Sequence, residues 1–163
     1  PKAAEFTKAY CCLPESTDEI MAEWMEMAGD LYTTSVPVKP GVRAYLEKCK
    51  ADGERMAVLT SSVPAHCHAA LGHLGLKPYF EQIYFAQELG MDKKDPAIYE
   101  KTARLLGVSP DACTIFDDSI AACRSARAAG MTVVGVYDEF FHVAWDEMQA
   151  VCHRCIRSFE ELV

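Results

Sequence analysis

Residues 114–119 read Thr114-Ile115-Phe116-Asp117-Asp118-Ser119, and beyond Ala121-Ala122 the chain runs through Gly130-Met131 into Thr132-Val133-Val134-Gly135-Val136. A β-rich apolar run ends in two adjacent carboxylates. A small-residue helix, a glycine and a second apolar run follow. The order is strand, acidic loop, helix, strand: a βαβ unit with its chemistry at the carboxyl end of the first strand. Two carboxylates there suit one hard cation with oxygen ligands, such as Mg²⁺.

The same alternation extends on both sides of this unit. Upstream, the pattern predicts helix 41–51, strand 56–60, helix 64–74, a short strand near Gln82-Ile83-Tyr84-Phe85, and helix 96–106 between Pro96 and Gly107. The strand ending at Asp117 reads as 112–116, followed by helix 119–129 and strand 132–136. Downstream, helix 140–150, a short apolar piece at Cys155-Ile156 and a turn at 158–162 complete the chain. Strands alternating with helices of this length predict an α/β fold: a Rossmann-like parallel sheet with helices on both faces.

The amino-terminal part differs. Residues 3–12 read as a helix that ends before Pro14, and Ser16-Thr17-Asp18-Glu19 offers a capping box for the next one. Ile20, Met21, Trp24, Met25, Met27, Ala28 and Leu31 recur at helical spacing to about Tyr32. Val36-Pro37-Val38-Lys39-Pro40-Gly41 breaks the pattern and divides a helical piece, 1–37, from the main domain, 38–163.

The chain has 163 residues, half of them hydrophobic and a quarter charged, enough for one domain with a sizeable core and a small appendage. Its net charge of −8 disfavours non-specific binding to nucleic acid or to an anionic membrane. No apolar run approaches the ~18 residues a bilayer span needs, and Pro1-Lys2-Ala3-Ala4-Glu5 has no signal-peptide core. The eight cysteines are scattered through helices and strands of an apolar-rich domain, so they read as reduced thiols in a cytoplasmic protein.

Loops at the carboxyl ends of parallel strands line one crevice. Three of them here carry matching groups: Thr60 with Ser61 and Ser62, Lys93-Lys94, and Asp117-Asp118. A hydroxyl, an ammonium and two carboxylates could hold a phosphoryl group and its cation.

On these residues the chain resembles the haloacid dehalogenase superfamily, in its branch of small phosphatases and β-phosphoglucomutase-like enzymes. Met56-Ala57-Val58-Leu59-Thr60 resembles the family's second motif, Lys93-Lys94-Asp95-Pro96-Ala97-Ile98-Tyr99 the third, and Phe116-Asp117-Asp118-Ser119 the fourth. Lys39-Pro40-Gly41-Val42 resembles the return from a helical cap into the core. Four motifs in this order and at these separations are a specific signal.

The resemblance implies a Mg²⁺-dependent phosphoric-monoester hydrolase acting on a small phosphorylated metabolite through a phosphoaspartyl intermediate. It implies that Thr60, helped by the backbone N–H of Ser61, binds the transferring phosphoryl group, and that Lys93, by its spacing to Pro96, neutralises it. Asp118 would ligate Mg²⁺ directly, with Asp117 a ligand or its support. It makes residues 1–37 part of a helical cap and 38–163 the α/β core. A sugar-phosphate mutase, in which a sugar hydroxyl captures the intermediate, and an inactive phosphate- or metal-binding module stay open, as do monomer and homodimer.

Two departures stand out. The glycine usual four residues past the second acid is Ala122, on a small-residue face with Ser125, Ala126 and Ala129. The first motif, an apolar strand ending in Asp-x-Asp that supplies the nucleophile and the general acid/base, is absent. The expectation is that this segment precedes residue 1 and fills the sheet between strands 56–60 and 112–116. His66-Cys67-His68, His73 and Cys152-His153-Arg154-Cys155 have zinc-like residue types but no partner pair at zinc-ribbon spacing, so packing is the preferred reading.

Overall fold

The computed structural model describes residues 2–163, which fall into two compact units. The smaller takes in the chain as far as Pro37, together with Pro64–Gly75; the larger takes in Val38–Val63 and Leu76–Val163.

The smaller unit is helical: α1 (Lys2–Cys11), α2 (Thr17–Thr34) and α4 (Pro64–His73). The α2 start is fixed by a reciprocal capping box. Ser16 Oγ accepts from the Glu19 backbone N–H, and the Glu19 carboxylate accepts from the Ser16 N–H. Ala4 and Ile20 are buried, and the Tyr32 ring lies 5.9 Å from that of His66. A methyl added at Gly29 would stand 3.6 Å from His66 Nε2, ordinary contact, so glycine is not sterically required there.

The larger unit holds α3 (Val42–Ala51), β1 (Ala57–Thr60), β2 (Gln82–Phe85), α5 (Ala86–Leu89), α6 (Pro96–Leu105), β3 (Thr114–Asp117), α7 (Ile120–Ala128), β4 (Thr132–Val136), α8 (Trp145–Val151) and β5 (Arg154–Ile156). All strand pairing is parallel. β1 pairs β2 from Ala57–Gln82 to Thr60–Phe85; β4 is flanked by β3, with Asp117 opposite Gly135, and by β5, with Val136 opposite Ile156. Among the described residues, β1–β2 and β3–β4–β5 are separate ladders.

Strand periodicity sorts the core into two layers. Ile115 and Val133 point to one face with Ile98, Tyr99, Ala103, Cys123, Ala126 and Met148, and Leu59 of β1 packs on that same cluster. Phe116 and Val134 point to the other face with Val136, Ile156 and Phe159. There the Tyr45 ring of α3 sits 5.4 Å from Phe116 and 5.5 Å from Phe159. Ala122, Ser125, Ala126 and Ala129 are all buried, so the small-residue face of α7 lies against the sheet even though Ala122 replaces a glycine. Gly135 is needed for a comparable reason: a methyl there would meet Met148 Cγ at 2.6 Å. No disulfide joins the cysteines; Cys11 and Cys12 are exposed, whereas Cys67, Cys123 and Cys152 are buried.

The expected helix 140–150 is corrected. Its first half, Glu139–Ala144, is a 3-10 turn and only Trp145–Val151 is α-helical. The Asp138 carboxylate caps this turn through the Phe140 N–H at 2.9 Å, and the turn begins one residue before the expected start at 140. Phe140 and Val143 then face solvent, so no buried stripe selects an α-helical repeat over those residues.

Candidate active site

β3 ends at Asp117, and that residue is fully committed. One carboxylate oxygen, Oδ2, pairs with the Lys93 ammonium, and the other, Oδ1, accepts from the Ser119 backbone N–H at 2.9 Å. The Cys123 thiol donates to the Asp117 carbonyl at 3.6 Å. The side chains of Asp117 and Lys93 are 7% and 19% exposed, so this ion pair is largely withdrawn from water. Lys94 points away: it is exposed, and its N–H donates to Asp92 Oδ1 at 2.9 Å.

Asp118 is half-buried. Burial raises its pKa above the ordinary carboxylate value, the Asp117 charge raises it further, and Lys39 partly offsets both. Lys39 itself is paired with Asp138 and donates to the Tyr137 carbonyl at 3.1 Å. The carboxyl ends of β3 and β4 therefore carry Asp117, Asp118 and Asp138 against Lys93 and Lys39.

Thr60 closes β1. Its hydroxyl accepts from the Ser62 N–H at 3.0 Å, turning the chain immediately after the strand, and Ser61 is exposed. β1 and β3 share no ladder among the described residues. The structure thus brings Lys93 and Asp117 into contact, sets Asp118 beside them in sequence, and leaves Thr60 on the other ladder.

The sequence reading missed three groups. Lys39 was read for its place in the chain, not for charge, and Asp138 lies just past the carboxyl end of β4, where the crevice rule for parallel sheets points. Ser125 was read as small rather than as a hydroxyl.

The donor set fits a hard cation in part. Asp117 and Asp118 offer oxygen only, which suits Mg²⁺ over softer metals. Among the described residues no group of three or more His, Cys, Asp or Glu side chains is arranged to hold a metal, so a bound ion would complete its shell with water or phosphate oxygen. The adjacent Asp117 charge and the partial burial of Asp118 both favour a positive charge at this place.

That raised pKa has a consequence for the metal-free chain. The folded state binds the Asp118 proton more tightly than the unfolded state. Ionisation therefore costs the fold stability above the ordinary value of 3.8, and nothing below it. Asp118→Asn is expected to raise the melting temperature at pH 7, the gain shrinking as pH falls toward that value. Differential scanning calorimetry across pH measures it.

The model of the haloacid dehalogenase-like hydrolase family matches residues 5–130. Protein CbbY of Rhodobacter capsulatus is 36% identical over 108 residues, 64% of this chain and 48% of that protein. The fructose-1-phosphate phosphatase YqaB of Escherichia coli is 40% identical over 81 residues, 50% of this chain and 43% of that one. The chain thus spans about half the length of the curated relatives it matches. The crystal structure of β-phosphoglucomutase from Clostridium difficile superposes with a TM-score of 0.72 at 22% identity, over 90% of this chain and 61% of that one, a likeness of fold alone. No helix among the described residues is long and apolar enough to cross a membrane. A family model that spans the Thr60, Lys93 and Asp117-Asp118 motifs, on a parallel α/β fold, shows that the chain belongs to the haloacid dehalogenase-like hydrolases, with CbbY and YqaB among the proteins it is similar to.

Proposed function

We propose that this chain is the phosphate- and Mg²⁺-handling part of a phosphatase that hydrolyses monoesters of small phosphorylated sugars. The observation that carries the reading is the Lys93–Asp117 pair beside the half-buried, electrostatically strained Asp118 at the carboxyl end of β3. The sugar-phosphate class is suggested by the activity named for the Escherichia coli relative.

In this reading the Lys93 ammonium neutralises the transferring phosphoryl group. The Thr60 hydroxyl and the Ser61 N–H bind its oxygens. Asp118, with Asp117 behind it, holds Mg²⁺, which when bound supplies positive charge to the phosphoryl oxygens. An aspartate attacks phosphorus in line as the ester oxygen departs, and water then cleaves the phosphoaspartyl group. Of the carboxylates at the strand ends described above, Asp117 and Asp138 are each paired with a lysine and Asp118 is assigned to Mg²⁺, so none of the three is given that attack. An apolar parallel strand ending in that aspartate would fit between β1 and β3, which share no ladder although Leu59 and Ile115 pack on one cluster. Residues 1–37 read as part of a helical cap and 38–163 as the α/β core that such a strand completes.

The test compares two forms of the protein. Residues 1–163 alone are expected to bind Mg²⁺ by titration calorimetry and to release no phosphate. The same residues carrying an Asp-x-Asp strand ahead of them are expected to hydrolyse fructose 1-phosphate and related esters with Mg²⁺. Asp118→Asn should weaken Mg²⁺ binding by about 100-fold and Asp117→Asn by about tenfold, because Asp117 already serves Lys93. No Mg²⁺ binding by either form, or no phosphate release by the strand-bearing form, would overturn the reading.

A further inference from the structure

The loop that carries Lys93 has each of its backbone polar groups from Lys93 C=O to Asp95 N–H assigned to a partner. The Asp95 N–H donates to the Asp92 carbonyl at 2.9 Å, and the Lys94 N–H to the Asp92 carboxylate at 2.9 Å. The Lys93 carbonyl accepts from the Tyr99 phenol at 3.0 Å. The Lys94 carbonyl accepts from the Ser125 hydroxyl at 2.6 Å. The first two bonds are local and would form in any turn with an aspartate at this position. The last two come from buried side chains on helices: Tyr99 in α6 is 0% exposed and Ser125 in α7 is 6% exposed.

We propose that Ser125 and Tyr99 are positioning residues that clamp the Lys93 loop by two consecutive carbonyls, so that the ammonium meets Asp117 with little freedom to leave it. Ser125 matters most. It lies on the helix that begins just after Asp117-Asp118-Ser119, so its bond ties the lysine loop to the same segment that carries the carboxylates. The loop and that segment are therefore joined twice, once by charge through Lys93–Asp117 and once by the Ser125–Lys94 bond. A lysine side chain loses much of its rotamer freedom when fixed. Holding its backbone on both sides lowers what remains to be ordered when a phosphoryl group arrives. Small size alone does not account for Ser125, because alanine would fill the same face of α7 and is the better helix former.

The consequence for catalysis rests on the function proposed above; the clamp itself does not, and the test separates them. In ¹⁵N-labelled protein the Lys93 ammonium, bound to a carboxylate and mostly buried, is expected to give a slowly exchanging resonance, assigned by its loss in Lys93→Met. Ser125→Ala is expected to speed that exchange by about tenfold, the effect of losing one well-placed hydrogen bond. Tyr99→Phe, which keeps the ring in its packed place, is expected to act in the same direction. An unchanged resonance in both variants, whatever happens to their melting temperatures, would reduce the two residues to packing and overturn the proposal. Absence of a slow resonance in the unaltered protein would overturn it too. In the strand-bearing form Ser125→Ala should lower kcat while leaving KM for the ester unchanged. If that form releases no phosphate at all, the phosphatase reading fails while the ammonium result still decides the clamp.

Discussion

Replacing Gly41 with alanine is expected to cost about 2–4 kcal/mol, a large share of the ~5–15 kcal/mol that holds a domain of this size together. Gly41 precedes α3 at φ 78°, in the left-handed region, where any other residue pays about 1 kcal/mol or more. Space is the larger obstacle. A methyl on Gly41 would stand 2.3 Å from the Glu160 nitrogen and 2.6 Å from the Phe159 carbonyl carbon. Both are backbone atoms and cannot rotate aside as a side chain could. The turn that contains them is fastened in place: the Phe159 N–H donates to the Pro40 carbonyl at 3.1 Å, and the Ser158 hydroxyl to the same oxygen at 3.3 Å. Relief would require shifting this turn and the Phe159 ring that packs on Phe116 and Tyr45, an overpacking cost of about 1–3 kcal/mol. Gly53 provides the control. Its φ is 76°, yet a methyl there meets nothing within 4 Å, so Gly53→Ala should lose only the conformational part, about 1 kcal/mol. Urea midpoints followed by circular dichroism would show the difference; equal losses would mean that the carboxyl-terminal turn yields.

Lys93→Met is expected to destabilise the chain by about 3–5 kcal/mol, because it leaves the Asp117 carboxylate buried without its counter-charge. The Ser119 N–H still serves one oxygen, which does not balance a full charge in a site 7% exposed. Adding Asp117→Asn should return most of that stability without returning Mg²⁺ or phosphate binding. A double-mutant cycle measures the coupling. Additive losses would show that each group is solvated in its partner's absence, and that the pair is not the buried contact described above.

The fold was legible because its signals are local and repeated. Pro96 and Gly107 bracket α6, with Asp95 capping it through the Ala97 N–H at 3.0 Å. The alternation of Ile115 and Phe116 between two core layers follows from strand periodicity alone. The site was legible to the extent that strand ends gather chemistry, which is why Lys93, Asp117 and Asp118 could be picked out. What escaped depends on distance along the chain. The Lys39–Asp138 pair joins residues 99 apart, and Ser125 reaches Lys94 across 31. A serine among alanines looks like a small residue until the carbonyl it faces is known. The 3-10 turn at 139–144 escaped for a different reason: Phe140, Phe141 and Val143 have helical spacing, but no layer covers them, and periodicity without a partner face does not set a helix type.

The distribution of thiols gives the molecule a set of internal clocks. Cys67 is buried in the helical unit, and Cys123 and Cys152 in the α/β unit. Burial and the neighbouring Cys152 thiol push the Cys123 pKa far up, leaving almost no thiolate, so an alkylating reagent reaches it only when that unit opens. Cys11 and Cys12, both exposed, react without any opening and set the zero of time. Pulsed alkylation read by mass, peptide by peptide, would therefore report the opening of each unit separately in unmodified protein, and would reveal whether the two melt as one or in succession.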